Sequence, residues 1–385
     1  MLFALPATAE KWYRDFEYNG IYYSVLDEEA LTCQTSAGEL EPGAIKPEDG
    51  GMYAYGPTNL DIPGRVTDGK KIYTVIGIGE GSFYKVYRTE HITLPSTLQY
   101  IQSSAFSFDE QLKSITLPES LTEIGQYAFY SCDDLETIDL PESIITIGAR
   151  AFDGCIKVSN VYIPKSLNTI GVHAFPLQAS LTVDKDNQSF SDEDGILFNK
   201  DKSVLIQCPS TRSGAYEIPH TVSTIEQLAF NKCKITKAVV PNSVTAIHNE
   251  AFRDCESLEY LYIDNPTEIG VCAFYDCKNL KDVYYASANP IPFGKATFSA
   301  EAYTKATLHV REEALDLIRQ IFPWGLFSNT AIYDFSGISD IEIDEDTTCE
   351  VYTTNGVRVG NSTENLIPGV YIVRRGSDVQ KLIIK

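Results

Sequence analysis

Cysteine and histidine have the widest chemical reach in this 385-residue sequence, which holds nine of the first and five of the second. Either could serve as a nucleophile, a general base or a zinc ligand. Their spacing argues against all three roles. Cys132, Cys155, Cys233, Cys255 and Cys277 each stand three residues after a phenylalanine. A residue type held at one phase of a repeat is a small buried filler that stacks on its copies, so these five are expected to be free structural thiols. No Cys-x-x-Cys pair and no Cys/His cluster with zinc spacing occurs, and no metal is expected. His91, His173, His220, His248 and His309 are scattered. The sequence lacks GxSxG, HExxH, a phosphate-binding loop and a dinucleotide glycine fingerprint. Asp184, Asp186, Asp192, Glu193 and Asp194 form an acidic group that could bind calcium, but the alternating-aspartate loop is incomplete, and a solvated turn is expected. The reading is a protein without catalytic residues or cofactor.

Charge removes further classes. Lys plus Arg number 31 against 53 Asp plus Glu, a net charge of −22. Phosphate attraction needs clustered basic side chains, so nucleic acid is excluded as a partner, and so is docking on an anionic membrane. No apolar run approaches the roughly 18 residues of a spanning helix, so no membrane insertion is expected. Hydrophobic residues make up 43% of the chain, enough for a large core.

The elements that would position any site come from a repeat. Phe83, Phe106, Phe129, Phe152 and Phe175 recur every 23 residues, and Phe230, Phe252, Phe274 and Phe298 follow at spacings of 22, 22 and 24. Residues 112–134 and 135–157 show the unit, LxxIxLPxSLTxIGxxAFxxCxx. Leu112, Ile115 and Leu117 start a short strand that can pair with its copy one coil away. Pro118 lacks an N–H and ends that ladder at a corner. Leu121 and Ile124 point inward on the next side, Gly125 permits close backbone approach, and Ala128 leaves room for Phe129. The nine phenylalanines are expected to form one stacked spine. No coil could bury its apolar face alone, so the expected fold is a capped, mainly β solenoid of about 23-residue units with short helical turns.

Four domains are expected. Residues 1–10, MLFALPATAE, read as a signal-peptide remnant with a small-x-small site at Ala7-Thr8-Ala9. Residues 11–69, rich in aromatics and Asn-Gly, Asp-Gly and Pro-Gly turns, form an antiparallel β cap. The solenoid runs over 70–333, enlarged by a hairpin insert at 181–210. Near its end, residues 311–327 read as one short amphipathic helix, with Trp324 and Phe327 sealing the core. Residues 334–385 form an acidic linker and a small C-terminal β module with turns at Asn355-Gly356 and Gly376-Ser377.

The repeat resembles the BspA-like leucine-rich repeats of bacterial surface proteins, whose unit is close to IPxSVTxIGxxAFxxC. His248 in place of glycine is a local departure. The C-terminal segments VYTTNGVRV, IPGVYIVR and KLIIK resemble sorting tails of the type IX secretion system in Gram-negative anaerobes. The resemblance implies export to the cell surface or medium, and adhesion to a host or bacterial surface protein or glycan. A monomer is expected. The competing expectation is an envelope spacer without a specific ligand.

An adhesin should concentrate aromatics on one stretch of its outward face, and a spacer should be evenly polar. Outward strand positions in one phase are Thr93, Thr116, Asp139, Tyr162, Glu217, Val239, Tyr262, Tyr284 and His309. Tyrosine offers large area, a hydroxyl and little rotamer entropy. The candidate binding residues are therefore Tyr162, Tyr260, Tyr262 and Tyr284.

Overall fold

In a computed structural model, the described residues are 15–36, 56–335 and four C-terminal strands, Cys349–Thr353, Arg358–Gly360, Gly369–Arg375 and Asp378–Ile384. The expected signal remnant, the acidic linker and the two C-terminal turns lie outside them.

Each coil is organised by its phenylalanine. The Phe106, Phe129 and Phe152 N–H groups donate to the carbonyls of Ala128, Ala151 and Ala174 at 2.7, 2.7 and 2.8 Å, so every donor is satisfied by the small residue one coil further on. The rings follow the backbone. Phe83, Phe106, Phe129 and Phe152 stack with centroids 5.1–5.2 Å apart and planes within 9°. Close to strand spacing, this distance lets one ladder of rings and one ladder of hydrogen bonds share a repeat. Two residues before and two after the ring, the chain turns through left-handed conformations. For Phe129 these are Tyr127 at φ 56° and Ser131 at φ 54°; for Phe252, Glu250 at 59° and Asp254 at 58°.

Two parallel ladders run along the solenoid. One is the outward face of interest: Asn59–Asp61, His91–Thr93 and Ser114–Thr116, then Asn160–Ile163 with Ser180–Val183, then six strands from Ser213–Glu217 to Asn329–Ile332. The other carries the Ile residues preceding the glycine phase, pairing Ile101, Ile124, Ile147 and Ile170 in register. Asn59–Asp61 already pairs in parallel with His91–Thr93, so coil-like stacking begins before residue 70.

Between Phe175 and Phe230 the spine is interrupted by three antiparallel strands, Phe190–Glu193, Ile196–Asn199 and Val204–Gln207. The middle strand is apolar on both sides. Leu197 joins the core of the first five phenylalanines, while Ile196 and Phe198 join that of the last four. Buried amides close the seam: Asn187 donates to the Pro164 and Leu167 carbonyls at 2.8 and 2.9 Å, and Gln207 to the Pro176 carbonyl at 3.1 Å.

At the N-terminal end Phe16–Tyr18 and Ile21–Asp27 form an antiparallel hairpin through Asn19 and Gly20, both at positive φ. The third strand, Thr32–Thr35, lies parallel to Ile72–Ile78 and hands the cap to the coils. At the other end, residues 311–327 do not form one helix. A 3-10 turn at Glu312–Ala314 leads into a helix at Leu315–Gln320, and a second 3-10 turn follows at Trp324–Leu326. Pro323 has no N–H to continue the helix and disfavours helical backbone before it. Trp324 is buried, packs on Tyr285 with rings tilted by 42° and centroids 4.3 Å apart, and donates its indole N–H to the Ile291 carbonyl at 2.8 Å. The C-terminal strands form an antiparallel four-stranded sheet.

Candidate functional site

Alternation in the six-stranded ladder sends Leu261, Ile263, Val283, Tyr285, Leu308 and Val310 into the core and their neighbours outward. Pairing then aligns the outward residues in two rows. One runs Lys237, Tyr260, Asp282, Thr307, Asn329, and the other runs Glu217, Val239, Tyr262, Tyr284, His309, Ala331. Three of the four candidate tyrosines, Tyr260, Tyr262 and Tyr284, are thus brought together on adjacent strands. Tyr162 is not with them: it pairs with Thr182 on the separate two-stranded ladder, is 47% exposed and donates its hydroxyl to Asp184 at 2.6 Å. That hydrogen bond pushes its pKa up to about 12.

The aromatic group is larger than those three. His309 stacks face to face on Tyr284 at 4.3 Å, and its Nε2 lies 2.6 Å from Asp282 Oδ1. Beyond the last strand, Tyr333 meets Tyr284 edge-on at 5.0 Å, and Phe335 packs on Tyr333 at 4.8 Å and on Tyr262 at 6.1 Å. The Arg311 guanidinium lies over the Phe335 ring at 5.2 Å. Tyr284 is half-buried, and its pKa is pushed up to about 12 by burial, then by Asp282, Tyr333 and Tyr260. Tyr333 and Phe335 are absent from the candidates drawn from sequence. The available signal was two aromatics separated by one residue, directly after the last strand and astride the expected boundary between solenoid and linker at 333/334.

The nine spine phenylalanines are all buried, in two stacks rather than one continuous column: Phe152 and Phe175 are 6.4 Å apart, and the second stack starts at Phe230 against Tyr216. The repeat cysteines are buried free thiols. They are also donors: Cys132, Cys155, Cys255 and Cys277 give S–H bonds to the carbonyls of Phe106, Phe129, Phe230 and Phe252 at 2.9–3.3 Å. Burial raises the pKa of Cys132 and Cys155 above the ordinary thiol value, which disfavours the nucleophilic thiolate. Among the described residues, no group of three His, Cys, Asp or Glu could hold a metal ion. No helix among them is long and apolar enough to cross a membrane.

The face therefore holds partly buried, pre-positioned aromatic side chains beside the Asp282 carboxylate. Comparison with known proteins gives the architecture a relationship. A family model described as a BspA type leucine rich repeat region matches six copies over residues 76–193 and 208–308. The pneumococcal vaccine antigen PcpA has a similar structure at 20% identity, covering 83% of this chain and 98% of that chain with a TM-score of 0.59. A leucine-rich repeat protein from Eubacterium ventriosum matches at 20% identity over 77% of this chain and 78% of its own, with a TM-score of 0.54. Both show the fold. No curated protein matches the sequence.

Proposed function

Since the chain belongs to the BspA-type leucine-rich repeat family, we propose that it is an exported, non-enzymatic recognition protein of the cell surface or medium, adhering to a host or bacterial protein or glycan. The observation that carries this reading is the asymmetry of the outward column. At the N-terminal end it presents Asp61, Thr93 and Thr116, and at the other end Tyr262, Tyr284 and His309. Ordinary strand preference for tyrosine would scatter such residues along the face. A parallel ladder holds them about 4.8 Å apart, so little entropy remains to be lost on contact. With a net charge of −22 the molecule repels anionic partners and favours neutral or basic ones.

PcpA, whose fold this chain shares, is a pneumococcal vaccine antigen. For the C-terminal sheet we propose, on the sequence resemblance alone, the role of a type IX sorting module.

Arrays of glycans and extracellular-matrix proteins probed with the purified protein test the reading. Binding should be saturable, and Tyr260→Ala with Tyr262→Ala should weaken it by roughly tenfold, about 1.4 kcal/mol. Absence of any ligand across both arrays would favour the envelope spacer.

A further inference from the structure

The outward tyrosines do not stand open. After Ile332 the chain continues the ladder by one bond, from the Tyr333 N–H to the Val310 carbonyl at 2.8 Å. It then runs back across the face, against the direction in which coils are added. The reversal places Phe335 against Tyr262, although Tyr262 lies three strands in from the end of the sheet. Tyr333 and Phe335 both turn toward the face and Asp334 between them is exposed, the alternation of an extended segment. Phe335 is 4% exposed, held between Tyr262, Tyr333 and the Arg311 guanidinium.

We infer that Tyr333–Phe335 is a strap closing a peptide-binding site, and that this site accepts an extended segment with two aromatic residues separated by one other. The chain's own segment shows the fit. One ring meets Tyr284 edge-on, and the second lies against Tyr262 under a cation. A tethered segment of this kind acts at an effective concentration on the order of millimolar, so an outside segment must displace it. The isolated protein is therefore in a closed state. A partner that supplies the same pattern, or that draws the linker away, opens it. This deepens the recognition reading and rests on it for the role of the face, but its test requires no outside partner. A blank array and a blank peptide titration are thus separate results.

The test compares the full chain with its Tyr333→Ala/Phe335→Ala variant. The first readout is nitration of Tyr262 and Tyr284 by tetranitromethane, located by mass spectrometry. The second is titration with a capped peptide of residues 331–337, with an Ala-substituted peptide as control. Nitration of both tyrosines should rise several-fold in the variant. The peptide should bind the variant saturably and roughly tenfold more tightly than it binds the parent, and the control peptide should bind neither. Unchanged nitration overturns the strap, and equal or absent peptide binding overturns the peptide site. If the double variant does not melt cooperatively, Phe335→Ala alone is read by the same two measurements.

Discussion

Asp109 occupies the phase that cysteine holds in the two coils that follow, and the exchange places a carboxyl in the core. It is 1% exposed; Oδ1 accepts the Val86 N–H at 2.6 Å, and Oδ2 has no partner among the described residues. Burial raises its pKa well above the ordinary carboxylate value, opposed only in part by the Val86 bond. With the folded value above the unfolded one, its stabilising contribution is complete below about pH 3.9 and is lost as pH rises toward the folded value. Asp109→Asn keeps the acceptor without the ionisation. It should raise the melting temperature at pH 7, and the gain should shrink toward pH 4; thermal melts at both values check this. Gly154 makes a different demand. It sits at φ 87°, and an added Cβ would come within 2.9–3.0 Å of Ser131 atoms. Gly154→Ala should cost about 1–2 kcal/mol, whereas Ser131→Gly, at φ 54°, should change stability by less than about 0.5 kcal/mol. Thiol reactivity should divide along burial. Cys272 is half-exposed while Cys132, Cys155, Cys233, Cys255 and Cys277 are buried, so timed alkylation of the native protein should label Cys272 ahead of those five. Intermolecular or intercoil bridges among the buried five would contradict the inward geometry.

At the scale of the element, the phenylalanine stack and the central strand of the insert make different predictions. Phe129 lies between two parallel rings at 5.1 Å. Phe129→Ala should cost about 3–5 kcal/mol, with hydrogen exchange rising in the adjacent coils first. Leu197→Asn should instead act on the seam, splitting one calorimetric transition into two. A single unsplit transition would show that the two cores do not unfold separately. The stack was legible in advance because a fixed spacing of a large apolar residue has only one physical use. The break in the stack was not. The run Ile196-Leu197-Phe198 reads as a core strand whichever side it serves, and only pairing reveals that its residues face different cores. The left-handed corners were equally hidden. Lys85, Phe108, Tyr127, Leu228 and Glu250 all adopt positive φ there, and none of these residue types marks the conformation in sequence. Pro323 did carry a visible signal against one helix over 311–327, which the amphipathic pattern around it obscured.

For the whole molecule, the sheet register gave the candidate face most of its sense. Tyr260, Tyr262 and Tyr284 could be placed in outward phases from spacing alone. Their cover could not, because it depends on the chain reversing across strands after residue 332. Tyr162 shares their phase in sequence, but the insert separates its ladder from theirs. Deleting Val351–Lys385 should leave the solenoid's melting unchanged and abolish surface exposure, with the folded protein retained in the periplasm. Fractionation with protease accessibility measures both, and equal display of the two forms would end the sorting assignment. The insert's two-sided strand, with Leu197 in one core and Phe198 in the other, also bears on inheritance. Apolar side chains on its two faces pack into separate cores, and the bonds that span the seam are few and polar, such as the Gln207 amide on the Pro176 carbonyl. A crossover within the codons for residues 184–200 that keeps those partners would exchange one stack together with its outward column. New binding specificities could then be acquired by cassette, without a coil having to be refitted.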